Sequence, residues 1–178
     1  MIIYIIALRV GQYICNKNSL PGSIILKNNS IKLNKNDIIK NIFIPLLFLI
    51  IWNIIFFKIF KPKSSDLSLI QNSNNISALI NLCLIKPITE EIIYRHVPMA
   101  IITDLFGKKT FIVFFNILFT SVFFSLIHLG IFENNILKLL QIFPISIILS
   151  YLNLKKGLEY NVIVHILLNT ITLVISTI

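Results

Sequence analysis

Charge is what this sequence has least of. Only 13% of its 178 residues are charged, seven of them acidic, against 56% hydrophobic and a mean hydropathy of +0.88. A water-soluble globule carries roughly a quarter charged residues, so that class is excluded, and the same apolar excess excludes disorder. Cysteine is scarce as well. Cys15 and Cys83 lie far apart and form no CxxC, which argues against a disulfide scaffold or a Cys-rich zinc module. HExxH, GxSxG, Walker A and GxGxxG patterns are absent, and with them the readings those patterns carry. Residues 1–8 are apolar without a basic stretch before them, so no cleavable signal is expected.

Lysine is what remains in excess. The net charge is +9, and 14 of the 16 basic residues are Lys. In a soluble protein that balance would suggest nucleic acid. Beside long apolar runs it reads as lysines flanking membrane segments, and no nucleic-acid partner is expected. The Ile- and Asn-rich composition points to a low-GC, bacterial source. It also removes β-branched content as a guide to strands, since a helix satisfies every backbone group in lipid.

The apolar runs are 1–14, 42–57, 76–106, 110–129, 136–154 and 158–178. The first would be about 21 Å long as a helix at ~1.5 Å per residue, short of a ~30 Å hydrocarbon core. Trp52 and Lys58 suit interfacial anchors of the second. Run 76–106 exceeds a bilayer, and Pro87 offers a break, predicting a short segment and then a helix from about 87 to 106, kinked at Pro98. Residues 15–40, with Pro21-Gly22, and 61–75 read as polar loops. The expected fold is all-α: a polytopic transmembrane helical bundle of five segments, six with the N-terminal run, multi-pass in a bacterial plasma membrane. Residues 1–75 would form N-terminal segments and loops, and 76–178 the core. Loops 15–40, 107–109 and 155–157 hold nine lysines against four on the other side (Lys58, Lys61, Lys63, Lys138), which predicts those loops in the cytoplasm.

Ionisable residues inside such runs are functional candidates, because a mid-helix charge costs about 2.5–3.5 kcal/mol on insertion scales. Glu90 and Glu91 stand adjacent in an apolar context, with Arg95 close by. Glu91 and Arg95 are spaced i, i+4 for a helical ion pair. Glu90, about 100° round the helix, is left for another partner, as a general base requires. His128 closes its run with Phe124 one turn before it, and His165 and Asn169 share one face of the last run. His96 reads as a packed or interfacial residue. Asn53, Asn81, Asn116 and Asn153 suit helix–helix hydrogen bonds, and Thr120, Ser121 and Ser125 suit bonds to backbone carbonyls.

Residues 90–95 fit EExxxR, 124–128 fit FxxxH and 165–169 fit HxxxN. Three motifs in this order on separate apolar helices resemble the CAAX-protease and bacteriocin-processing (CPBP, or Abi) family of intramembrane endopeptidases, over roughly residues 80–178. The resemblance implies a glutamate-dependent protease cutting a membrane-associated protein or peptide. Glu90 and His128 would activate water, His165 and Asn169 would stabilise the oxyanion, Glu91 and Arg95 would support the first motif, and Phe124 would pack the second. No cofactor is expected. Zinc on Glu90, His128 and His165, with a position open for water, is the competing account, disfavoured because Asn169 suits an oxyanion better than a metal. The alternative function is a catalytically idle membrane immunity or binding protein on the same scaffold. A proton-relay transporter ranks third.

The axial arithmetic leaves a mismatch. At ~1.5 Å per residue, Glu90 and His128 lie about 25–28 Å from loop 107–109, but His165 only about 14 Å from Lys156. Tilt, a kink at Pro98 or a late start of the last helix is expected to absorb the difference.

Overall fold

The computed structural model describes residues 2–23, 35–61, 76–129 and 134–177. Among these the chain is all helical, with no strand, and forms six helices. They are α1 (Ile2–Lys17), α2 (Lys35–Phe60), α3 (residues 76–106), α4 (Thr110–Leu126), α5 (Asn135–Lys156) and α6 (Leu158–Thr177). Two are long and apolar enough to cross a membrane, α2 and α5, while α4 and the Leu158–Val174 part of α6 are apolar but shorter. The expected loop at 15–40 shrinks from both ends, since α1 runs through Lys17 and α2 begins at Lys35. The loop expected at 61–75 falls, from residue 62 on, outside the described residues.

The expected break at Pro87 does not occur. Helix α3 continues through it and through Pro98. Each of these prolines, like Pro45 of α2, stands two residues beyond a π-helical turn: Ile39–Phe43, Asn81–Ile85 and Ile92–His96. A proline ring collides with the carbonyl four residues back, and a widened turn at that place makes room for it without ending the helix. Length and composition predict the rest. Asn134 caps α5 through its Oδ1, which accepts from the amides of Ile136 and Leu137 at 3.0 and 3.4 Å. Helix α2 stops where Lys61 takes a left-handed conformation.

Helices α2, α5 and α6 enclose an apolar core of Ile42, Leu46, Leu49, Ile145, Leu149, Leu152, Val164 and Leu168. Outside it the usual pattern inverts. Phe111, Phe114, Leu47 and Phe48 are more than half exposed, while Glu91, Arg95, Ser146, Ser150 and Asn161 are fully buried. Lys138, counted above as a flanking lysine, is buried and donates to Gln141 Oε1 (3.0 Å), whose amide donates to Asn53 Oδ1 (2.9 Å) across α2 and α5.

Described residues in or beside loops 15–40, 107–109 and 155–157 pair with one another. Lys17 pairs with Asp104 at 2.9 Å, Lys156 with Asp37 at 2.8 Å, and Leu158 donates its amide to Gly22 at 3.0 Å. A late start of the last helix does not absorb the axial mismatch, because α6 begins at Leu158 as read from sequence. Asn18 reaches Asp104, but the strap that follows folds back, and Ser23 bonds both Gln12 and Glu159. The strap therefore ties the start of α6 to Gln12, six residues or about 9 Å along the chain's helical rise from Asn18. Gly157 makes this possible: its φ is +103°, and a Cβ there would stand 2.3 Å from the Gly22 carbonyl oxygen.

Candidate active site

Three helices deliver the motif residues to one place. The second π-helical turn of α3 follows directly on Glu91 and carries Arg95. Helix α4 ends at Leu126, earlier than expected, so His128 stands in the turn beyond it rather than on the helix. Helix α6 brings His165, with Asn161 one turn before it.

The two carboxylates have different surroundings. Glu91 is fully buried; its Oε1 accepts from Arg95 and from His165 Nδ1 (2.6 Å), and its Oε2 accepts from Asn161. Arg95, equally buried, donates to Ser146 Oγ (2.9 Å) and Ser150 Oγ (3.3 Å), with its guanidinium 3.8 Å above the centre of the Phe124 ring. Ser121 and Thr120 in turn meet Ser150 at 3.2 and 3.3 Å. Glu90 is mostly buried yet makes no such close contacts with the histidines. His128 Nε2 lies 3.7 Å from Oε1 and His165 Nε2 3.8 Å from Oε2, with Lys86 Nζ 3.9 Å away at the rim.

Hydrogen-bond chemistry orients both imidazoles. His128 Nδ1 stands 2.7 Å from the Phe124 carbonyl, which only accepts, so Nδ1 carries the proton. His165 Nδ1 donates to Glu91 by the same logic. In each ring Nε2 is the atom turned toward Glu90. Phe124 packs between them, 4.4 Å from the His128 ring and 5.9 Å from that of His165.

Glu90, Glu91, Arg95, Phe124, His128 and His165 thus form one cluster. Asn169 lies a turn further along α6, where its amide donates to the Leu82 carbonyl at 3.4 Å. His96 faces the other way, packed so closely on α1 that a Cβ at Gly11 would come within 2.8 Å of its Cδ2. It lines a small cavity with Cys15, Met99 and Asn153. Among the described residues no group of three or more His, Cys, Asp or Glu is arranged to hold a metal ion. Sequence reasoning passed over Asn161, Ser146 and Ser150. The signal was there in i, i+4 spacing: 161, 165 and 169 on one helix, 146 and 150 on another.

No curated protein and no solved structure matches the chain. The sequence model described as type II CAAX prenyl endopeptidase Rce1-like does match, over residues 72–171. That span begins eight residues before the resemblance read from the motifs and contains all seven motif residues. A match over more than half of the chain, taking in Glu90 through Asn169, makes this protein a member of the type II CAAX prenyl endopeptidase Rce1-like family.

Proposed function

We propose that the chain is an intramembrane endopeptidase that hydrolyses a peptide bond of a membrane-associated protein or peptide with water activated by Glu90 and His128. The observation that carries this reading is the convergence of two imidazole Nε2 atoms on opposite oxygens of one mostly buried carboxylate, at 3.7 and 3.8 Å. Those gaps are too long for direct hydrogen bonds. They leave the Glu90 carboxylate and the Nε2 lone pair of His128 both able to accept from one water, which is what a general base and its partner need.

The proton inventory closes. Glu90 takes a proton from water as its oxygen attacks the carbonyl carbon, and returns it to the leaving amine nitrogen when the C–N bond breaks. The oxyanion formed between these steps needs donors. Protonated on Nε2, His165 becomes a cation held through Nδ1 by Glu91, and it presents N–H toward the site. The charges of Glu90, Glu91, Arg95 and His165 then sum to zero, so the buried cluster carries no net charge. Asn169 adds its amide as the second donor, trading its long 3.4 Å bond to Leu82. One such donor is worth about 10²–10³ in kcat.

A membrane setting is supported by the exposed apolar faces of α2 and α4 around a polar interior. We read five to six spans in a bacterial plasma membrane, with the lysine-bearing end in the cytoplasm. The family description supplies the first substrate to try, a prenylated CAAX peptide. Purified protein in proteoliposomes should cut a farnesylated CAAX peptide, scored by mass spectrometry, and Glu90→Gln should abolish cleavage. Activity should persist in 1,10-phenanthroline; loss restored by zinc would favour a metal on Glu90, His128 and His165. A cellular phenotype indifferent to Glu90→Gln would favour the idle binding or immunity protein.

A further inference from the structure

Glu91 accepts hydrogen bonds from both Arg95 and His165, and its two oxygens are served unequally. Oε1 receives both of those partners, while Asn161 on α6 is the donor at Oε2. The amide of Asn161 has no choice of orientation, because a carboxylate only accepts, so its nitrogen faces Glu91. Its own Oδ1 is then left buried without a hydrogen-bond partner among the described residues. An orphaned acceptor works against stability. A leucine has the same branched skeleton and would carry no such penalty.

We propose that Asn161 is a positioning residue for hydrolysis: it fixes the Glu91 carboxylate so that Oε1 meets His165 Nδ1–H and His165 Nε2 is aimed at Glu90. Asn161 and His165 stand i, i+4 on α6, so one helix face delivers both the donor that orients the carboxylate and the imidazole the carboxylate orients. Without Asn161, Glu91 is held at Oε1 alone, and the plane of its carboxylate can rotate away from His165 Nδ1. His165 then keeps its location but loses its aim. The other polar group facing the His165 ring, Glu90 at 3.8 Å, lies beyond hydrogen-bond distance.

The inference rests on the hydrolytic reading above, and its test separates the two. Asn161→Leu keeps the branched heavy-atom skeleton and removes the donor; Asn161→Ala removes both. On the farnesylated peptide, kcat should fall about 10- to 100-fold, the scale of a misaimed catalytic group, with KM within about twofold. Independently of turnover, protein with 15N-labelled histidine in detergent should show a hydrogen-bonded Nδ1 proton of His165, assigned by its loss in His165→Gln. That resonance should vanish or move upfield in both Asn161 variants. A folded Asn161→Leu with the resonance and kcat of the parent overturns the proposal, as does loss of the fold in both variants, which would make Asn161 a stability residue. A chain that cleaves nothing but loses the resonance on substitution overturns the hydrolysis and leaves the positioning standing.

Discussion

Glu91→Gln is the substitution whose cost the structure lets one work out. Glutamine keeps the shape of the side chain and removes its charge, leaving Arg95 a fully buried cation. Removing one partner of a buried ion pair costs about 3–5 kcal/mol. The Phe124 face and the hydroxyls of Ser146 and Ser150 remain in contact with the guanidinium, and a desolvated cation–π contact is worth about 2 kcal/mol. Those contacts soften the loss, to roughly 1–3 kcal/mol. For a chain of this length each kcal/mol moves Tm by about 2–4 °C, so the apparent Tm should fall roughly 2–12 °C. The measurement is thermal unfolding in detergent followed by helical circular dichroism, at one scan rate because such unfolding is often irreversible. Glu91→Gln combined with Arg95→Met removes both charges and should recover part of the loss, a non-additive outcome. An apparent Tm within about 2 °C of the parent, or a double variant whose loss is the sum of the singles, refutes a buried ion pair at the centre of the bundle.

Other expectations follow from single contacts. Gly157→Ala should lower the apparent Tm, because the new Cβ stands 2.3 Å from the Gly22 oxygen at a φ of +103°; parent-like stability would mean that the strap does not cover the α5–α6 turn. Gly11→Val should do the same by driving α1 off His96. Asp104 raises the pKa of Lys17 above its ordinary 10.5 through a hydrogen bond and their charges. The stabilisation from that pair is complete below pH 10.5 and fades as pH climbs through the raised value. An alkaline fall in Tm should therefore be shallower at its onset in Asp104→Asn, and identical profiles would remove the pair from the account.

Helix existence was legible because apolar run length is a direct consequence of burying backbone in lipid or core, and five of the six runs end within a few residues of their helices. The clear failure was Pro87. Proline removes a donor and clashes with the preceding turn, so a break is the local expectation. The chain instead widened the turn, because α6 packs along this stretch of α3, as the Asn169 contact to Leu82 shows. Nothing in the spacing of a single helix reveals that a neighbour will support it.

The motif residues were legible for a related reason: charges in an apolar run have few explanations. Their supports were not, since serine and asparagine are cheap in a helix and have many uses. Thr120 and Ser125 do bond backbone carbonyls one turn back, as their residue types suggest, at 2.7 and 2.8 Å. Yet Thr120 also meets Ser150, and so reaches Arg95. The distinction between a hydroxyl that satisfies its own helix and one that solvates a buried cation lies in which helix stands opposite. Here α4 and α5 face each other across Arg95, and their small polar residues replace the water that the guanidinium gave up. That substitution is what allows a charge to sit beneath Glu91, and a fixed Glu91 is what gives His165 a direction.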